Sequence, residues 1–172
     1  MSHQSQLDFV SGVKSQFPEF FESGRVLEVG SLNINGSVRQ FFEASVEEYV
    51  GCDLGEGDGV DLVCAGHELA FDDDHFDVAI SCECFEHDRH WRQTFGKMID
   101  LVRDGGLVLF SCATTGRPEH GTVRTSPGDA PFTNNYYMNL ERGHFGLLVK
   151  RFTRYEFIEN QSPRDLYFWG IK

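Results

Sequence analysis

The sequence predicts an α/β domain built on a doubly wound, mostly parallel sheet, with an antiparallel hairpin at its carboxyl end. Three observations carry this. Short apolar runs alternate with amphipathic stretches, the signature of strand and helix in turn. The run Arg25–Val29 feeds directly into a glycine-containing turn at Gly30. The last twenty or so residues read as two strands around Asn160-Gln-Ser-Pro163-Arg164.

Taken in order, Leu7 to Phe21 carries apolar residues at helical spacing, interrupted by Pro18. Arg25–Val29 is the first strand, Gly30 to Asn35 a turn, and Gly36 to Ala44 a helix through Val38, Phe41 and Phe42. The second strand is Glu48 to Cys52, ending in Asp53, and the third Asp61 to Cys64. Only Leu54 to Val60 lies between them, whereas a parallel crossover usually takes a dozen residues or more, so the linking helix is read as reduced to a loop. Phe76 to Cys82 is the fourth strand, His90 to Val102 a helix with Phe95, Met98, Ile99 and Val102 on one face, and Leu107 to Cys112 the fifth strand after the Asp104-Gly-Gly106 turn. Ala113 to Thr133 is polar and aperiodic, and a loop of that length in a small domain points to function. Leu140 to Val149 reads as a short helix, and Phe152 to Glu159 with Asp165 to Lys172 as the hairpin. Residues 1–172 are expected to form one domain, with a helical segment at 1–24 and a substrate-side loop at 113–135.

Composition narrows the function. The chain has 172 residues, 40% hydrophobic and 24% charged, as expected of a globular protein that buries a core without staples. Five cysteines, four of them in or beside apolar runs, suit free thiols in a reducing compartment, so a cytoplasmic protein is expected. No apolar run approaches the roughly 20 residues that cross a bilayer, and no signal-peptide pattern opens the chain. The net charge of −12 disfavours nucleic acid and anionic membranes as partners. The one basic cluster, Arg142, Lys150, Arg151 and Arg154, reads as a solvated helix end.

The chemistry starts at Val26-Leu-Glu-Val-Gly-Ser-Leu-Asn-Ile-Asn-Gly-Ser37. A strand, a glycine turn and a helix form a nucleotide site at the carboxyl edge of such a sheet. The middle glycine of G-x-G-x-x-G is absent, which disfavours a nicotinamide or flavin dinucleotide, and no phosphate-binding G-x-x-x-x-G-K-[ST] occurs. An adenosine cofactor without phosphates tolerates this turn. Asp53 stands 23 residues after Gly30 at a strand end, where a carboxylate can accept both hydroxyls of a ribose.

Glu28-Val-Gly-Ser31, Phe76-Asp-Val-Ala-Ile-Ser-Cys-Glu-Cys-Phe-Glu-His87 and Leu101-Val-Arg-Asp-Gly-Gly-Leu-Val-Leu109, in that order, resemble the motifs of Rossmann-like class I S-adenosylmethionine-dependent methyltransferases. The resemblance runs from about Arg25 to Cys112, with a looser match over the closing hairpin. It implies S-adenosylmethionine as cofactor and methyl transfer to a small or medium-sized acceptor. Glu28, Gly30 and Ser31 would surround the methionine part, Asp53 the ribose, Leu54 the adenine face, Gly66 and His67 the adenine edge, and Ser81 to Glu83 would pass beneath the sulfonium. An acidic residue that the family often has near Ala65 is missing, leaving backbone around Gly66 to meet the adenine amino group.

Glu83, Glu86 and His87 form an E-x-x-E-H cluster at the mouth of this site. It is structural, or Glu83 or His87 takes a proton from the acceptor, or it holds a divalent ion, as in some methyltransferases with a similar cluster and not in others. An ion wants a further ligand, and neither His120 nor His144 can be placed from sequence, so no metal site is assigned. Arg117 to Gly121, Arg124, Tyr136 and Tyr137 are candidate acceptor-side residues. The alternative to an enzyme is a sensor or partner subunit that binds the cofactor without turnover.

Overall fold

The computed structural model describes residues 4–42 and 45–172. Among them are helices α1 (Gln4–Gln16), α2 (Glu19–Glu22) and α3 (Trp91–Leu101). The strands are β1 (Arg25–Val29), β2 (Glu48–Asp53), β3 (Leu62–Val63), β4 (Phe76–Cys82), β5 (Val102–Ala113), β6 (Arg154–Glu159) and β7 (Asp165–Ile171). They form one sheet in the order β3-β2-β1-β4-β5-β7-β6. β1 to β5 pair in parallel, and β7 lies antiparallel between β5 and β6.

The period-two alternation of the strands feeds two cores. On one face Val26, Val78, Ile80, Leu107 and Leu109 meet Phe9, Val10, Val13 and Phe21 of the amino-terminal helices. On the other, Leu27, Ala79, Val108, Phe110 and Phe168 meet Phe95, Met98 and Ile99 of α3, with Phe145 and Val149. Phe110 is the hub of the second core, stacked on Phe145 at 4.7 Å and Phe168 at 5.0 Å between ring centroids, with Phe85 and Phe95 also in contact.

Several expectations need correction. The helix at Gly36 to Ala44 is a single 3-10 turn, Val38–Phe41, capped by Ser37 Oγ accepting from the Arg39 amide at 3.0 Å. Phe42 N bonds back three residues to Arg39 O and so ends the turn. Glu43 and Ala44, the end of the expected helix, lie outside the described residues. The expected helix at Leu140 to Val149 is two 3-10 turns, Arg142–Phe145 and Leu148–Arg151, because Gly143 and Gly146 are poor helix formers placed three residues apart. β5 starts at Val102, paired with Phe76, and the Asp104-Gly-Gly106 turn is a bulge within it before Leu107 pairs with Val78.

The short link before β3 does lack a helix. Asp61 closes it by taking the Gly51 amide on its carboxylate and giving its own amide to Gly51 O, both at 2.8 Å. The basic cluster disperses: Arg142 pairs with Glu159, Arg151 with Asp100, and Arg154 covers the rings of Phe17 and Trp169. No described helix is long and apolar enough to cross a membrane.

Candidate functional site

The order of strands reverses between β1 and β4, and the crevice at their carboxyl ends is where this architecture binds ligands. A cavity of about 690 Å³, open to solvent, lies there. Gly30, Asp53, Leu54 and Gly66 line its sheet side, Glu83 and His87 stand at the end of β4, and Asp129 to Pro131 with Thr133 form the facing wall. Six of the residues singled out in the sequence thus converge on one space.

Gly30 has φ +80°, and a Cβ on it would lie 2.6 Å from that of Cys84. Only glycine allows this turn to press against the segment after β4. Asp53 is held by the backbone: Oδ2 accepts from Leu32 N at 3.0 Å and Oδ1 from Leu54 N at 2.7 Å. Burial raises its pKa, and these amides offset part of the rise. A carboxylate has roughly four acceptor sites, so capacity remains for two further donors.

Glu83 adopts φ +50°, unusual for a residue with a side chain. Ser111 Oγ donates to its Oε1 at 2.9 Å, and Arg117 stands 3.9 Å from its Oε2 while donating to Asp165. Arg117 therefore ties the loop after β5 to the ends of β4 and β7. His87 is buried, and burial first, then the neighbouring His120, lowers its pKa to about 4. It is neutral at pH 7.

Four of the expected residues do not line the cavity. Ser31 Oγ is buried without a hydrogen-bond partner among the described residues, Ser81 Oγ donates to Val29 O at 2.9 Å, and the His67 ring lies tilted against His90, 4.4 Å between centroids. Glu28 lies behind the strand, accepting from the Tyr49 hydroxyl at 2.7 Å.

Burial lifts the Glu28 carboxyl to about 7, against 4.5 in a free chain, despite Tyr49 and Arg39 nearby. The folded state therefore favours the protonated acid. This stability is fully present below about pH 4.5, declines as the pH rises, and is lost above about 7, a loss of at most about 3 kcal/mol. Glu28→Gln, which does not titrate, is expected to melt above the parent near pH 8 and to lose that advantage by about pH 4. Parallel melting curves across this range would show that Glu28 does not titrate there.

The structure adds residues that sequence patterns missed. Asp129, Pro131 and Thr133 reach the cavity from the aperiodic loop, where no motif marks them. Cys84 and Asp88 also line it, and lay in view beside the E-x-x-E-H cluster.

A family profile described as a methyltransferase domain matches residues 1–157. The chain belongs to this methyltransferase family. Among solved structures, phosphoethanolamine N-methyltransferase 2 of Haemonchus contortus, in complex with phosphomonomethylethanolamine and S-adenosylhomocysteine, aligns with a TM-score of 0.68 at 15% identity, over 98% of this chain and 53% of that one. This methyltransferase domain thus spans about half the length of the Haemonchus enzyme. The YcgJ protein of Bacillus subtilis aligns with a TM-score of 0.68 at 14% identity, over 99% of both chains. The 1,6-didemethyltoxoflavin-N1-methyltransferase of Burkholderia thailandensis, with bound 1,6-didemethyltoxoflavin and S-adenosylhomocysteine, aligns at 0.62 and 12%, over 100% of this chain and 91% of that one. At such identities the likeness is one of fold. A search of curated proteins returns no match.

Proposed function

We propose that this domain binds S-adenosylmethionine in the cavity at the β1–β4 switch point and transfers its methyl group to a small or medium-sized acceptor. The observation that carries the reading is the convergence of Gly30, Asp53, Leu54, Gly66, Glu83 and His87 on that one cavity. The residues fit the cofactor. Asp53 keeps acceptor capacity for a ribose diol, and the half-exposed Leu54 offers an apolar surface to adenine. Ala65 and Gly66 bring backbone to the adenine edge, in place of the missing acidic side chain. Ser31, whose buried hydroxyl has no partner among the described residues, and Glu28 behind it are assigned to the methionine end, with His67 and Ser81 supporting the walls.

When bound, the cofactor supplies a methyl group already made electrophilic by its sulfonium. The protein's task is alignment of an acceptor lone pair, a proximity effect. Glu83 and the neutral His87 stand where an acceptor's proton would be released, as candidate bases. Residues 113–135 form the acceptor-side wall of what we treat as a single domain. Phosphomonomethylethanolamine and 1,6-didemethyltoxoflavin in the structural neighbours support a small-molecule acceptor. Five free cysteines agree with a reducing, cytoplasmic setting.

Calorimetry with S-adenosylmethionine and S-adenosylhomocysteine tests the proposal, and saturable binding of both is expected. Folded protein that binds neither would overturn it. Binding without methylated product across amine, hydroxyl and carbon acceptors would favour the sensor reading instead.

A further inference from the structure

We infer that Phe132 is a positioning residue: it latches residues 129–133 over the adenosine end of the cavity, and the cofactor passes when this latch lifts, an inference that rests on the cofactor placement proposed above. Asp129, Ala130, Pro131 and Thr133 line the cavity together with Asp53, Leu54 and Gly66. Phe132, in the middle of this run, is not part of the lining. Its ring lies against Gly55, the residue after Leu54. A Cβ on Gly55 would overlap Cε2, Cδ2 and Cζ of that ring. One side chain thus joins the loop after β5 to the link between β2 and β3, from one wall of the cavity to the other.

The backbone marks this contact as one that holds the segment in place. Phe132 has φ +69°, a left-handed conformation that bulky side chains rarely adopt. Asn134 and Asn135 follow at +52° and +59°. Such conformations persist only where surrounding contacts impose them. The segment's own hydrogen bonds are local: Asp129 N donates to Ser126 O at 3.0 Å, Thr133 Oγ1 to Ala130 O at 2.9 Å, and Tyr136 N to Thr133 O at 3.2 Å. Its flanking anchors are Arg117 on Asp165 before it and Met138 N on Glu86 O at 2.8 Å after it. Between those anchors the Phe132 ring ties the segment to the cofactor side. The side chain is 55% exposed, so the ring is held by one face and can leave without opening a core.

The link supplies the seat. Gly55, Gly57 and Gly59 alternate along it, and each meets a group from across: the Phe132 ring, Leu32 Cδ1 and Ser31 O. Leu32, in the turn after β1, itself lines the cavity. The same short loop therefore seats both the latch and a wall of the cofactor site. Gly55 lies outside the left-handed region, unlike Gly59 at φ +82°. Its backbone accepts a side chain, and the ring is what excludes one. Gly55→Ala therefore displaces the latch, yet it keeps the Gly55 amide that helps to hold Asp53.

Both rate constants of S-adenosylhomocysteine, measured by surface plasmon resonance, test the latch on parent, Phe132→Ala, Gly55→Ala and Leu147→Ala proteins, with melting curves to check folding. A latch closed with and without cofactor slows entry and exit alike. Association and dissociation are each expected to rise about fivefold in Phe132→Ala and Gly55→Ala, as for loss of a half-covered ring, while affinity changes less than either rate. Leu147→Ala, which trims an exposed apolar side chain outside this loop, is expected to match the parent. Faster dissociation alone, with affinity falling in step, would make Phe132 part of the binding wall and overturn the latch. Rates unchanged in both variants would overturn it too. Hydrogen exchange over residues 126–136 is read in parallel on the cofactor-free proteins and is expected to quicken in Phe132→Ala and Gly55→Ala. Parent that binds no S-adenosylhomocysteine would end the cofactor reading, whereas exchange unchanged in both variants would end the latch by itself.

Discussion

Asp53→Ala is expected to weaken S-adenosylmethionine binding by at least about tenfold. Replacing the carboxylate leaves two ribose hydroxyls without a charged acceptor, and hydrogen bonds to charged groups contribute roughly 1.5–3 kcal/mol each. Loss of about 1.4 kcal/mol already corresponds to tenfold. The position of Asp53 at a strand end suggests little effect on folding, but its bonds to the Leu32 and Leu54 amides make it a tie between the β1 turn and the end of β2. The variant is therefore also expected to melt lower. Asp53→Asn keeps the shape and loses the charge, so its affinity should fall between the two. Asp58→Ala is the control: that side chain makes an exposed contact with Asn33, and its removal should leave binding nearly unchanged. Calorimetry on the four folded proteins decides the matter. Equal affinity for Asp53→Ala and the parent would mean that the ribose lies elsewhere.

Phe110→Ala carries the largest expected loss of stability. The ring is fully buried and packs against Phe85, Phe95, Phe145 and Phe168, which come from four separate parts of the chain. Removing such a ring costs about 3–5 kcal/mol, as lost burial and as a cavity the neighbours fill only in part. For a domain of this size that lowers the melting temperature by on the order of 10 °C. Phe110→Leu refills part of the space and should recover a good share of the loss. Phe110 also precedes Ser111, which holds Glu83, so affinity for an acceptor should fall with stability. A melting temperature within a degree or two of the parent would show that the ring is not the hub of this core.

The sequence alone determined the alternating architecture and picked out Gly30 and Asp53, which line the cavity. Arg25–Val29 and Phe76–Cys82 were legible to the residue because central parallel strands, buried on both faces, are continuous apolar runs. Gly30 was legible because it directly follows such a strand, where the backbone turns through φ +80°, and Asp53 because it closes β2. The 3-10 turns were misread as helices because Val38, Phe41 and Phe42 have helical spacing, while the i to i+3 closure at Phe42 depends on how the chain returns to β2. The loop that carries Asp129, Pro131 and Thr133 has no period of its own, so its place over the cavity was decided by Arg117, anchored at once near Glu83 and Asp165. Only the tertiary structure could set His120 beside Glu86 and His87, 33 positions earlier at the nearer end. Sequence spacing reports neighbours along one strand or one helix face. Contacts across a long loop are fixed by packing and burial, which leave no period in the chain.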